Sequence, residues 1–348
     1  VFAISSSLFT AVALLSTSRF HGRFSMDSQA GVQKLHEFPT PRIGGIPLLV
    51  GAAVGGLLLT PEARHLWWLI CLSALPAFAA GLIEDITKRV GVKARLIATV
   101  LSGLIFCMVS GYSLQRADIL GLDWLLGFST LSLLVSAIAI GGIANALNLI
   151  DGVNGLASGT AIIILTGFTL VGWIYDDSAV MGICLVSIGA LMGFFLINFP
   201  RGRLFLGDAG AYSAGFVLAI IAIILPIRNP ELSPLMGLLA LAYPVIETLV
   251  SIHRRLVREG SNPGQPDRLH LHSLVYRSLS KRISERIGMP RMRNPMTAVL
   301  LWFLPLLTSL LMVFVAESPM MITAALILTL AVYIRFYRRV ALLRSSKK

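Results

Sequence analysis

Residues Asn145–Ala157 read NALNLIDGVNGLA. The stretch lies between two apolar runs, AIAIG at 137–141 and AIIILTGF at 161–168. A turn needs only the Asn154-Gly155 pair. Asn145, Asn148 and Asp151 are therefore surplus to turning, and they follow one another at a spacing of three. Where a helix runs through them they share about 120° of one face. Two amides and a carboxylate there can bind a hydroxylated or amide-bearing ligand, or hold a metal-bound water. Gly152 and Gly155 let the chain turn back closely beneath them. A polar helix end followed by an Asn-Gly turn is the plainer reading of the same residues.

The flanking runs set the fold. The chain has 348 residues, 56% of them hydrophobic and 13% charged, whereas soluble domains carry about 25% charged residues. One apolar run after another reaches the ~20 residues that cross a bilayer core as a helix. Lipid offers no partner to backbone groups, so an all-α, polytopic helical bundle is expected. Eleven spans are predicted, at roughly 1–18, 43–60, 66–84, 95–112, 124–147, 156–175, 179–198, 209–227, 234–252, 297–316 and 319–336. The first, Val1–Ser18, lacks the small-residue cleavage site of a secretory signal and reads as a span. The chain reads as one integral membrane domain, 1–348, with a polar excursion at 253–296. Cys71, Cys107 and Cys184 all fall inside apolar runs and read as small buried hydrophobes.

Charge orients the bundle. The polar segments 19–42, 85–94, 148–155, 199–208 and 253–296, with the C-terminal tail and the bordering Arg95 and Arg335, hold 26 of the 29 Lys and Arg. The other side has only Arg64, Arg116 and Arg228. The positive-inside rule makes the richer side cytoplasmic. The N-terminus is then outside (periplasmic) and the C-terminus inside. The net charge of +12 is mainly this topology signal, and its spread over separate loops argues against nucleic-acid binding.

Five polar groups fall on the cytoplasmic side. PTPRIGG (39–45) makes a rigid approach to the second span. GLIEDITKRVGVKAR (81–95) sets Glu84 and Asp85 at a helix end, with Lys88 and Lys93 beyond. An acidic pair followed by lysines suits a place where metal and phosphate meet, although solvated helix ends look the same. The third group is the opening stretch. In NFPRGRLFLGDAGAYSAG (198–215), Gly207-Asp208-Ala209-Gly210 opens a span whose first N–H groups favour an anion. Asp208 repels a phosphate there unless a cation intervenes, which suggests Mg²⁺. In GQPDRLHLHSLVYR (264–277), Asp267, Arg268, His270 and His272 crowd together. Diphosphate binding by the arginine and the histidines is preferred to zinc, because no third or fourth zinc ligand lies close by.

Taken in order, these groups resemble the polyprenyl-phosphate N-acetylhexosamine-1-phosphate transferases, which include the phospho-N-acetylmuramoyl-pentapeptide transferases. The resemblance runs from Pro39 to about Arg277. It is carried by Glu84-Asp85; by Asn145, Asn148, Asp151, Gly152, Gly155, Leu156 and Ala157; by Asn198, Pro200, Phe205, Gly207, Asp208 and Gly210; and by Asp267, Arg268, His270 and His272. Three departures stand out. The acidic pair is usually Asp-Asp, an Asp of the ninth span is Glu247 here, and one further histidine of the last loop is Ser273. That loop matches the sugar-1-phosphate branch better than the muramoyl-pentapeptide branch.

The resemblance implies a membrane phosphotransferase of a bacterial inner membrane, its site on the cytoplasmic face. It would move N-acetylhexosamine 1-phosphate from a UDP-sugar to undecaprenyl phosphate, release UMP and so initiate a cell-surface polysaccharide such as O-antigen. Catalytic roles fall to Asp85, Glu84 and Asp151. Asp208 and Asp151 are candidates for Mg²⁺, or Mn²⁺. Lys88, Lys93, Asn145, Asn148, Asn198, Gly207, Asp267, Arg268, His270 and His272 are candidates for substrate, with 253–296 as the binding loop. Homodimers occur in the family. The competing reading is a transporter or lipid flippase. It expects polar sites near the midplane and internal repeats, and the sequence shows neither. A CDP-alcohol phosphotransferase would need further acids following Asp151-Gly152, and a non-catalytic scaffold leaves the five groups unexplained.

Overall fold

The computed structural model describes residues 1–27, 39–259 and 269–345. The protein is nearly all helical. Its only sheet among the described residues is a two-residue antiparallel bridge, β1 (Met26–Asp27) with β2 (Thr40–Pro41). The helices in chain order are α1 Phe2–Ser16, α2 Ser18–Ser25, α3 Gly45–Gly56, α4 Pro61–Ser73, α5 Leu75–Thr87, α6 Val92–Ser110, α7 Leu122–Leu126, α8 Ser129–Ile150 and α9 Leu156–Ile174. They continue with α10 Ser178–Asn198, α11 Gly207–Arg228, α12 Leu235–Ala240, α13 Ala242–His253, α14 Leu271–Val275, α15 Lys281–Arg286, α16 Arg293–Val315 and α17 Pro319–Ser345.

Each of the eleven apolar runs forms helix, but not every one is long enough to span. Seven helices among the described residues are long and apolar enough to cross a membrane, and the α4–α5 pair, bent by 46°, makes an eighth if counted as one broken span. Pro76 at the start of α5 accounts for that break, because its ring cannot continue the preceding turn. The remaining three runs fall short. α1 has 15 residues and α3 has 12, about 18–23 Å at 1.5 Å per residue against a ~30 Å hydrocarbon core. The run at 234–252 is divided at Leu241 into α12 and α13.

Helix α11 is the axis of the bundle. Within its apolar window 83% of the residues are buried, against 17% in α17. A helix apolar on every side belongs inside other protein, and α11 packs on α3, α5, α8 and α9. α10 packs on α1, α3 and α9, and α16 on α9. α17 lies at the periphery with most of its surface outward. Where α5 meets the start of α11 the backbones nearly touch. A Cβ on Gly81 would overlap the backbone of Ala209, so only glycine lets these helix ends come together.

The polar residues sort to the two ends of the bundle. At one end, Arg228 Nε donates to Asp177 Oδ2 at 2.7 Å and Nη2 to Glu62 at 2.8 Å, while Arg116 pairs with Asp118 at 2.9 Å. At the other end the loops are stitched together by their backbones. Gly44 N–H donates to Phe205 O (2.9 Å), Phe205 N–H to Pro41 O (2.8 Å) and Arg42 N–H to Ser25 O (2.8 Å). This second end gathers the described parts of all five polar groups.

Candidate active site

The site is built on the start of α11. Gly207 has φ +74°, a conformation that glycine adopts without strain. It turns the chain so that the first N–H groups of α11 point at α5. Helix N-termini leave such donors unpaired and favour negative charge. Here the anion is Asp85, fully buried. Its Oδ1 accepts from Asp208 N–H at 2.9 Å and its Oδ2 from Ala209 N–H at 3.0 Å. The helix start that the sequence offers to a substrate phosphate is thus taken by a carboxylate of the protein.

Asp208 itself, 1% exposed, is held by two guanidinium groups. Arg42 Nη2 donates to Oδ1 and Arg95 Nη1 to Oδ2. Arg42 also reaches Asp85, its Nε lying 3.3 Å from Oδ1, and so bridges the two aspartates. One turn along α11, the Tyr212 hydroxyl accepts from Asn148 Nδ2 at 3.1 Å, which brings the end of α8 to the same place.

Asp151 completes the group. α8 ends at Ile150, and Asp151 leaves the helix with ψ 54°. It therefore does not continue the face of Asn145 and Asn148. Gly152 N–H closes the turn onto Ile150 O at 2.8 Å. The Asp151 carboxylate accepts no hydrogen bond from a described residue. Burial pushes its pKa from 3.8 up to about 7; Arg42 opposes that rise, and Asp208 and Asp85 add to it. Three carboxylates thus gather around two guanidinium groups.

The other expected residues divide between this centre and its supports. Glu84 turns away from the cluster and accepts from Val90 N–H at 2.8 Å, fixing the loop after α5. Lys88 adopts a left-handed conformation (φ 57°) and its Nζ donates to Asp85 O at 2.8 Å. Lys93 is exposed. Asn145 donates to Thr99 Oγ1 and Gly141 O, both at 2.8 Å. Asn198 uses both ends of its amide, accepting from Gly155 N–H (2.6 Å) and donating to Leu204 O (2.8 Å). It pins the Asp151 loop to the loop that leads into α11.

His270 and His272 are buried and stack at 5.5 Å between ring centroids. His272 lies against Gly152, where a Cβ would overlap its ring. The histidine loop therefore reaches the residue next to Asp151. Asp267 and Arg268 lie outside the described residues.

Arg42, Arg95 and Tyr212 were not singled out by the sequence. Arg42 sits between the prolines and glycines of PTPRIGG, and Arg95 near the start of α6 reads equally well as a topology charge. The available signal was positional, since both arginines border spans on the side that carries the acids. Tyr212 follows Asp208 by four residues, the spacing of one helix face.

Among the described residues, no three His, Cys, Asp or Glu side chains are arranged as a closed metal cage. A hard cation completed by substrate phosphates needs only one or two carboxylates. The oxygen-only donor set, with the half-buried Asp151 carboxylate lacking a described hydrogen-bond partner, fits such an ion.

Comparison with known proteins finds similar sequences. Residues 67–226 match the sequence model of Glycosyl transferase family 4. The chain is 25% identical over 279 residues to an undecaprenyl-phosphate alpha-N-acetylglucosaminyl 1-phosphate transferase of Yersinia pestis, covering 78% of this chain and 75% of that one. It is 23% identical over 280 residues to the protein so named from Escherichia coli O157:H7, covering 79% and 76%. A phospho-N-acetylmuramoyl-pentapeptide-transferase of Lactococcus lactis is 29% identical over 196 residues, covering 53% and 60%. The segment that carries Asp85, Asp151 and Asp208 thus matches the Glycosyl transferase family 4 model, in keeping with the family that the motifs resemble.

Proposed function

We propose that this protein transfers N-acetylhexosamine 1-phosphate from a UDP-sugar to undecaprenyl phosphate, giving undecaprenyl-diphospho-sugar and UMP. The observation that carries this reading is the meeting of Asp85, Asp151 and Asp208 with Arg42 and Arg95 at one end of a membrane bundle. Such an end is where a lipid-borne phosphate and a water-soluble nucleotide sugar meet. A transporter reading expects ionisable sites near the midplane, whereas Asp85, Asp151 and Asp208 lie at helix ends.

An oxygen of the lipid phosphate attacks the sugar-bearing phosphorus, the bond to the bridging oxygen breaks, and UMP departs with that oxygen. A phosphate monoester has its second pKa near ~6, so no strong base is required. Positioning and charge neutralisation carry the catalysis. Asp151 and Asp208 would hold Mg²⁺, or Mn²⁺ in its place. When bound, the ion offsets negative charge on the diphosphate and on the leaving UMP. Arg42 and Arg95 supply fixed positive charge beside the same oxygens. His272, against Gly152, and its neighbour His270 face the donor diphosphate. Asp85 is the internal anion that fixes the start of α11 and so sets where Asp208 stands.

The positive charge pattern supports a reading in which this end faces the cytoplasm at a bacterial inner membrane. The product fits the first committed lipid intermediate of a cell-surface polysaccharide.

The test offers the purified protein several UDP-N-acetyl sugars with undecaprenyl phosphate, with and without Mg²⁺, and measures UMP. Release that needs both the lipid and the cation is expected. No release from any UDP-sugar overturns the proposal.

A further inference from the structure

Glu247 is a buried acidic residue that the proposed chemistry does not use. It lies on α13 and is 1% exposed. A buried charge persists only when it is well paired. Glu247 has partners from two other parts of the chain. Oε1 accepts from Leu271 N–H at 2.8 Å, at the start of α14, and lies 3.4 Å from His270 Nδ1. Oε2 accepts from the Tyr333 hydroxyl at 2.6 Å, on α17. A second tyrosine of α17, Tyr337, donates to Leu269 O at 2.9 Å. The two tyrosine rings stack at 6.2 Å.

These contacts form one continuous line. Tyr333 holds Glu247, Glu247 holds His270 and the backbone beside it, His270 stacks on His272, and His272 packs on Gly152 beside Asp151. The outermost helix, mostly exposed along its length, is joined in this way to the innermost polar cluster.

We propose that Glu247, braced by Tyr333, is a positioning residue for the histidine loop. It fixes where His270 and His272 stand relative to Asp151 and which ring nitrogen of His270 faces outward. Nδ1 of His270 is turned toward the Glu247 carboxylate. Carboxylates that orient metal-bound imidazoles are worth about 10–100-fold in function where they have been removed, and the same scale is expected here. The inference rests on the proposed phosphotransfer for its catalytic consequence, but its anchoring part does not.

The test is a double-mutant cycle with an independent structural readout, on the full chain in detergent or lipid. Glu247→Gln keeps size and hydrogen-bond acceptance but removes the charge, and about a 10–100-fold lower kcat is expected, with the KM for undecaprenyl phosphate little changed. In a His270→Ala background the same substitution should cost little more, because Glu247 acts through that ring. Full additivity of the two losses overturns the proposal. Amide hydrogen exchange supplies the second arm. Glu247→Ala and, separately, Tyr333→Phe should speed exchange across Leu269–Val275 while the interior of α11 stays protected. Unchanged exchange in Tyr333→Phe also overturns it, and this milder variant decides the matter where Glu247→Ala does not fold. If the wild-type protein transfers nothing from any UDP-sugar, the proposed reaction fails, and the exchange arm still decides whether Glu247 anchors the loop.

Discussion

Asp85 caps the helix that Asp208 opens, each of its carboxylate oxygens accepting one backbone N–H of α11 at 2.9 and 3.0 Å. Two acids that would repel each other as neighbours are thereby held together. The helix dipole and the Arg42 guanidinium between them offset the repulsion. Replacing Asp85 by Ala should leave two buried donors without partners, costing about 1–3 kcal/mol for each. Thermal unfolding in detergent measures the loss. Asp85→Asn, which keeps one acceptor, should fall between the two proteins.

Arg42 serves Asp85 and Asp208 at once through different nitrogens. Lysine is a single point charge and cannot reproduce a two-pronged contact. Arg42→Lys should therefore lose most of the activity that Arg42→Ala loses, on the order of 10²-fold, the size seen when one preorganised electrostatic donor is removed. UMP release under saturating substrate gives the number. Full rescue by lysine would show that only charge is needed.

Asp208→Asn removes the charge on which both arginines converge. Transfer dependent on Mg²⁺ should be abolished while the helical content seen by circular dichroism stays the same. Near-normal turnover would remove Asp208 from the cation site.

Asp151 makes stability depend on pH, and the sign follows from its raised pKa. The folded protein keeps the proton up to about pH 7, whereas the unfolded chain loses it near the ordinary carboxylate value of 3.8. Stability from this group is full below that lower value and is lost as pH rises toward about 7. Melting temperatures measured across this window should fall with rising pH, and Asp151→Asn should flatten the slope. Mg²⁺ should raise the melting temperature more at pH 8 than at pH 5, because the proton competes with the ion.

Gly152 has no room for a side chain. Gly152→Ala places a methyl group where the His272 ring lies, so the histidine loop must shift away from Asp151. Activity should drop by at least about 10-fold, the scale reached when a positioning partner is displaced. Helix content and the melting temperature should change little. Wild-type activity would show that His272 need not stand there.

Much of this was legible along the chain. The all-helical bundle, the helix starts near Leu156 and Gly207 and the end near Asp85 follow from apolar runs and glycine punctuation, which are local. The short spans were not legible. Hydropathy counts apolar residues but does not show that Pro76 breaks one run, that Leu241 divides another or that α3 stops after Gly56. The roles of Arg42, Arg95 and Glu84 also lay beyond it. A positional charge count treats all three as helix-end residues, yet two arginines turn inward to Asp208 and the glutamate turns away to Val90.

By itself the amino-acid order determined the membrane bundle, its charge asymmetry and the set of acids, amides and histidines that point to diphosphate chemistry. Periodicity and composition report only on neighbours in the chain. Packing alone decided that Arg42, 166 residues from Asp208, bridges it to Asp85, that the α11 N-terminus holds an internal carboxylate, and that Asp151 is the acid left open. Those outcomes depend on how closely separate helix ends approach. That approach is set by glycines such as Gly81 and Gly207 meeting backbone across the bundle, a relation with no fixed spacing in sequence.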